Sequence, residues 1–142
     1  QDKYEFLPLP MRDHWGVLMP KNSELAEKEA ITARDLKDKP LILSRQAAAN
    51  HELTCWLKRP LSELNVVATY NLIYNGSLMV EEGMGYALGL DRLINTTGES
   101  GLCFRPLSPP LDASMAILWK KYQIFSPAAE LFIERLRRCF AE

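Results

Sequence analysis

LNVVATYNLIYNGSLMVEEGMGYALGLD, residues Leu64 to Asp91, is the segment from which the architecture follows. Leu64-Asn65-Val66-Val67-Ala68 is apolar and partly β-branched, as a strand covered on both faces would be. Thr69, Tyr70 and Asn71 make a polar turn, and Asn71 is placed to cap the helix that follows. Leu72, Gly76, Met79 and Val80 then share one helical face. Gly83 stands where a helix ends in the left-handed conformation, and Gly85 keeps the next turn tight before the strand Tyr86–Leu90. Strand, helix and strand in this order form a β-α-β unit, which requires a parallel sheet. In open parallel sheets ligands bind beyond the carboxyl ends of the strands.

The remaining chain extends the same alternation. Residues Gln1 to Pro10 form an extended lead-in, since Pro8 and Pro10 exclude helix. Trp15–Met19 reads as a strand closed by Pro20, and Asn22–Ala30 as a polar surface turn. Thr32-Ala33-Arg34-Asp35 fits a capping box and predicts a short helix through Leu36, stopped by Pro40. Leu41-Ile42-Leu43 is a strand ending at Ser44, and Gln46–Lys58 is a helix carrying Ala48, His51, Cys55 and Trp56. Leu90-Asp91-Arg92 predicts an N-cap and a helical turn through Ile94, before a turn-rich loop from Asn95 to Gly101. Strands follow at Leu102–Leu107 and Met115–Trp119. Ser126 caps the last helix, with Pro127 first inside it and an apolar stripe of Ala129, Phe132, Ile133, Leu136 and Phe140. The chain is α/β.

With 142 residues there is room for one domain or a piece of one, and a hydrophobic fraction of 47% argues against disorder. A net charge of −1 gives no field to draw in nucleic acid or an anionic membrane. Cys55, Cys103 and Cys139 are odd in number and widely spaced, which fits reduced thiols in a cytoplasmic setting. No apolar run is long enough to span a bilayer, and no signal peptide is visible. Because the chain starts at Gln1 without methionine, upstream domains are expected.

The ordered segments resemble the effector-binding domain of LysR-type transcriptional regulators. They are LPLPMRDHWGVLMP (7–20), ITARDLKDKPLILSRQ (31–46), VVATYNLIYNGSLMVEEGMGYALGLD (66–91), LCFRPL (102–107) and MAILWKKYQIFSPAAELFIERL (115–136). The likeness runs from Leu7 to Phe140 and lies in the order of the parts, each of which is a common α/β device. It implies a periplasmic-binding-protein-like (type 2) lobe, with a mostly parallel sheet flanked by helices, plus the C-terminal part of a partner lobe. On this reading residues 1–142 are a partial effector-binding domain. Residues 12–104 make the second lobe, and 1–11 and 105–142 supply the crossover segments and the remainder of the first. The resemblance implies an effector held between lobes, a helix-turn-helix for DNA outside this chain, and a homo-oligomer. It also implies that the stripe of the last helix packs on strands outside this chain. Left bare at ~25 cal/mol per Å2 it forfeits several kcal/mol, so the helix is expected to dimerise or to fold back on the intact lobe.

Ser44, Arg45 and Gln46 leave one strand end, and Thr69, Tyr70 and Asn71 leave another. If those strands are neighbours, two helix N-termini with unpaired N–H groups meet at the cleft. Arg45 could clamp a carboxylate, so a small polar or anionic metabolite is the expected ligand. The competing reading leaves Ser44 and Asn71 as helix caps and Arg45 as a solvated charge. The resemblance moves Ser44, Thr69 and Asn71 toward effector contact. The candidate effector-binding set is therefore Ser44, Arg45, Thr69, Tyr70 and Asn71. Tyr70, Tyr74 and Trp56 could wall an aromatic pocket, although packing explains Trp56 and Tyr74 as well.

No metal, cofactor or enzymatic role is expected. His51 has no ligand partner at suitable spacing. A Ser44–His51–Asp91 triad lacks a nucleophile elbow. Glu81 and Glu82 are neighbours on a helix, pointing about 100° apart. The rival from another class is a periplasmic-type solute-binding module of a transporter.

Overall fold

The computed structural model describes residues 3–46 and 51–140. The chain divides into two compact units, one spanning His14–Asp112 and the other joining the residues up to Asp13 with those from Ala113 on.

The His14–Asp112 unit is built on a sheet of five strands. The long strand β1 (Tyr4–Pro20) enters it from the other unit, followed by β2 (Leu41–Ser44), β3 (Val66–Tyr70), β4 (Tyr86–Leu90) and β5 (Leu102–Pro106). Their order is β3-β2-β4-β1-β5. β2 runs parallel to β3 and to β4, while β1 is antiparallel to both β4 and β5. Four strands thus share one direction, and β1 alone opposes them. Leu41, Ile42 and Leu43 are fully buried, as the apolar run requires of a strand covered on both faces. Val17, Met19, Leu41, Leu43 and Leu88 pack on one face with Leu25, Ile31, Leu36, Leu53 and Leu57. Leu18, Ile42, Tyr70, Val80, Ala87 and Leu102 form the core on the other. Among the described residues this unit carries α1 (His51–Leu57) and α2 (Ile73–Glu81). Arg45 and Gln46 are helical too, whereas Ala48 and the side chain of His51 lie outside the described residues.

Four local expectations are corrected. β3 starts at Val66, takes in Thr69 and Tyr70, and is the edge of the sheet rather than a strand covered twice. Its register shifts from Leu41↔Val66 to Ile42↔Ala68, so Val67 is the extra residue of a bulge and is 42% exposed. Thr32–Leu36 forms no helix. Successive i→i+3 bonds (Asp35 to Thr32, Lys37 to Arg34, Lys39 to Leu36) build turns, and Pro40 follows too soon for an α-helix to grow. Asp91 opens no helical turn, because its Oδ1 accepts from the His14 backbone N–H at 2.9 Å and Arg92 adopts φ 61°. Asn71 does not cap α2. Leu72 holds that position, without a side-chain cap. Gly83 does take the left-handed conformation, at φ 74°.

The capping-box residues keep a task without the helix. Asp35 Oδ2 accepts from the Thr32 N–H (2.9 Å) and hydroxyl (2.8 Å), and its Oδ1 meets Lys28 Nζ at 2.8 Å. Burial pulls its acidity toward a higher pKa, but the Lys28 and Thr32 hydrogen bonds and the Lys28 charge outweigh it and bring the value to about 2. A depressed carboxyl stabilises the fold above its ordinary value of 3.8 and loses that contribution as pH falls toward about 2. Asp35→Asn should remove about 2 kcal/mol at pH 6 and flatten the stability profile across that window, as read by urea unfolding at a series of pH values.

The second unit pairs the first part of β1 with β6 (Asp112–Lys120) and carries α3 (Pro127–Phe140). Ser126 caps α3 as anticipated, its Oγ accepting from the Ala129 N–H at 3.3 Å. Glu5 accepts from Trp119 Nε1 at 3.1 Å and from Arg137 at 3.3 Å, and the Arg137 guanidinium lies 5.3 Å from the Trp119 ring centroid. None of the described residues of this unit is buried.

Candidate functional site

The two strand ends singled out by sequence are neighbours. β2 and β3 run parallel with Leu43 opposite Thr69 and Ser44 opposite Tyr70. A pocket of about 540 Å3 opens beyond them, lined by Ser44, Gln46, Tyr70 and Asn71, by Leu72, Ile73 and Tyr74 at the start of α2, by Gly89, Leu90 and Leu93, and by Trp15 of β1. Its volume falls in the range of small-molecule sites. Ser44, Tyr70 and Asn71 therefore meet there, while Arg45 and Thr69 are exposed and stand outside the lining. Thr69 follows from strand alternation, which sends it to the face opposite Tyr70.

Tyr70 forms the floor. Its ring packs so closely on α2 that a Cβ at Gly76 would lie 3.0 Å from it. The β2–β4 ladder ends at Ile42↔Ala87, and past that point the Tyr70 hydroxyl donates to the Leu88 carbonyl at 2.6 Å. Burial pushes the phenol up to about 12. The proton of Tyr70 is thus spent on the sheet, and the ring rather than the hydroxyl proton is what the pocket receives. Tyr70→Phe should cost about 1.5 kcal/mol, measured by urea unfolding, because the Leu88 carbonyl loses its donor in a dry site.

Gly89 sits at the back of the pocket, where a Cβ would come within 2.8 Å of Ile73 Cδ1 and 3.1 Å of the Tyr70 hydroxyl. A second cavity of about 280 Å3 shares Ile73, Gly89 and Leu90 and continues over Leu18, Asp91, Arg92, Ile94, Thr96 and Phe104.

Sequence reasoning missed Trp15, Leu90 and Leu93. Trp15 arrives by pairing with Leu90 across β1 and β4, a contact between segments far apart in the chain. Leu93 follows the Asp91–Arg92 turn, whose conformation depends on His14. The one available signal was Gly89 inside an otherwise large-residue strand. Of the proposed aromatic wall, Tyr74 lines the pocket, whereas Trp56 donates its indole N–H to the Pro109 carbonyl at 2.7 Å.

A mostly parallel α/β lobe with a pocket at its strand ends has the architecture of type 2 periplasmic-binding-protein-like domains. A family model described as the LysR substrate binding domain matches residues 1–141, and the chain belongs to that family. No protein of the curated set matches it. Among similar solved structures is HinK, a LysR family transcriptional regulator from Pseudomonas aeruginosa, with TM-score 0.78 and 23% identity over 97% of this chain and 49% of that one. The CcmR regulatory domain of Synechocystis PCC6803, in complex with 2-PG, has TM-score 0.74 and 16% identity over 98% of this chain and 68% of that one. The effector binding domain of QuiR, in complex with shikimate, has TM-score 0.76 and 18% identity over 93% and 63%. This chain spans about half the length of HinK. At these identities the likeness to solved structures is one of fold. Family membership selects the effector-binding domain of a LysR-type regulator over a transporter's solute-binding module.

Proposed function

We propose that this chain senses a small-molecule effector for a DNA-binding, homo-oligomeric transcription regulator of the cytoplasm, without catalysing a reaction. The observation that carries the reading is the pocket at the ends of β2 and β3, where Ser44, Gln46 and Asn71 make the polar lining above an aromatic floor. Residues 12–104 act as the second lobe, and 1–11 and 105–142 supply the crossover segments and the remainder of the first. DNA is contacted by a helix-turn-helix outside this chain. Domains of this fold, such as the effector binding domain of QuiR in complex with shikimate, supply the precedent for a small polar or anionic ligand.

The physical requirement on such a sensor is differential affinity. An effector shifts the arrangement of lobes and subunits only as far as it binds one arrangement better than the other. No helix among the described residues is long and apolar enough to cross a membrane.

The test is a thermal-shift screen of small organic compounds. A hit should weaken about tenfold in Asn71→Ala and in Ser44→Ala, the loss of one hydrogen bond each. Hits indifferent to both substitutions would place the effector elsewhere.

A further inference from the structure

We infer that the His14–Asp112 unit holds a second small-molecule site, apart from the strand-end pocket. It is the cavity of about 280 Å3 beside Gly89, and it takes a small zwitterion, an α-amino acid with an apolar side chain. The inference stands whether or not the strand-end pocket is the effector site.

The cavity draws its whole lining from one unit. Leu18, Ile73, Leu90, Ile94 and Phe104 give it an apolar surface, and Asp91 and Arg92 add one charge of each sign. It borders the second core layer, since Leu18 belongs to that core and Ile73 and Ile94 pack against it. Its volume is just under the usual range of small-molecule sites, so the occupant is small. Apolar side chains around a hollow gain free energy when a ligand covers them.

The two charges are not used up on each other. The Asp91 side chain is 15% exposed, and its Oδ2 faces Arg92 Nε at 3.3 Å. Its Oδ1 accepts from the His14 N–H at 2.9 Å. A carboxylate accepts about four hydrogen bonds, so lone pairs remain for an ammonium group. Arg92 meets Asp91 through Nε, which leaves Nη1 and Nη2 without a partner among the described residues. An α-amino acid carries its ammonium and carboxylate on one carbon, and adjacent Asp and Arg side chains present the complementary pair. A simple anion would gain Arg92 but be repelled by Asp91, and a simple cation the reverse. Only a ligand bearing both signs is attracted by both.

The rim is held before any ligand arrives, which lowers the ordering cost of binding. Besides the carboxylate bond, the Asp91 N–H donates to the His14 carbonyl at 2.9 Å. The following loop is pinned by Lys21, whose Nζ donates to the Gly98 carbonyl at 3.3 Å and whose backbone N–H donates to the Gly101 carbonyl at 2.8 Å. Arg92 keeps φ 61°, a costly conformation for a residue with a side chain, and its guanidinium stands exposed at the mouth.

Calorimetric titration with L-leucine, isocaproate and isoamylamine tests the site. The three share a branched apolar end and carry both charges, the anion alone and the cation alone. Leucine should bind about tenfold or more tighter than either of the others. Asp91→Asn keeps an acceptor for the His14 N–H, and asparagine tolerates the positive φ in Arg92→Asn, so both substitutions suit the local backbone. Each should weaken leucine about tenfold, the loss of a charge-assisted hydrogen bond, while Ser44→Ala leaves it unchanged. Isocaproate or isoamylamine bound as tightly as leucine would overturn the zwitterion. Leucine binding that ignores Asp91→Asn and Arg92→Asn would overturn the second site, and its loss in Ser44→Ala would move it to the strand-end pocket with the effector reading intact. No leucine binding up to its solubility limit would overturn the inference outright.

Discussion

Gly16→Ala is expected to lower the stability of the His14–Asp112 unit by about 3 kcal/mol, the upper end of what overpacking costs. Gly16 lies in β1, opposite Gly89 of β4 on one side and Pro106 of β5 on the other. A methyl group there would come within 2.2 Å of the Phe104 ring and 2.5 Å of the Arg105 carbonyl oxygen. The ring could turn aside, but the carbonyl is backbone in a strand that is itself pinned. Arg105 donates from Nε and Nη2 to the Ala26 carbonyl at 3.1 and 2.7 Å, so β5 cannot slide away without breaking both bonds. A loss of this size lowers the midpoint of thermal unfolding by about 12–15 °C for a unit of this length. Gly101→Ala is the control. Nothing lies within 4 Å of its added methyl, and the change should fall within about 0.5 kcal/mol of neutral. Urea unfolding of the two variants side by side decides the matter. Equal effects would show that the tight β1–β5 contact carries no weight.

Legibility in the sequence tracked the range of the interactions. β2, β4 and α3 were readable because their signals are local: an unbroken apolar triplet at Leu41–Leu43, a glycine stop at Gly83, and Ser126-Pro127 opening a helix. The bulge at Val67 was not, since it exists only relative to the register of β2. Asp91 carries a strong local capping signal that a distant partner overrode when the His14 N–H took its carboxylate. Thr32 and Asp35 show the milder case, in which the side-chain bond survives and the helix does not. The same division runs through the site. Ser44 and Asn71 follow from the rule that ligands gather at strand ends, whereas Trp15 and Leu93 reach the pocket through pairings that no window of sequence contains. The expectation of a polar or anionic ligand drew on the helix starts at both strand ends and on Arg45, and Arg45 alone of these stands outside the described lining.

The two units should answer truncation of a large apolar side chain in opposite ways. Ile42→Ala should cost about 4 kcal/mol. Ile42 is fully buried in the middle of β2, between Ala87 of β4 and Ala68 of β3, and the alanines beside it are too small to collapse into the space. Phe132→Ala removes a larger side chain, but Phe132 is 60% exposed on a helix with no buried residue, and alanine is the better helix former. In dilute protein its effect should stay within about 0.5 kcal/mol. Leu131, Phe132 and Phe140 nevertheless leave that helix with an apolar surface that association would cover. The homo-oligomer proposed above has a signature here. The unfolding midpoint should rise with protein concentration, and Phe132→Ala should remove the rise. A midpoint independent of concentration in the unsubstituted protein, with sedimentation at the monomer mass, would take α3 out of the interface. The chain by itself would then form no oligomer through any surface at those concentrations.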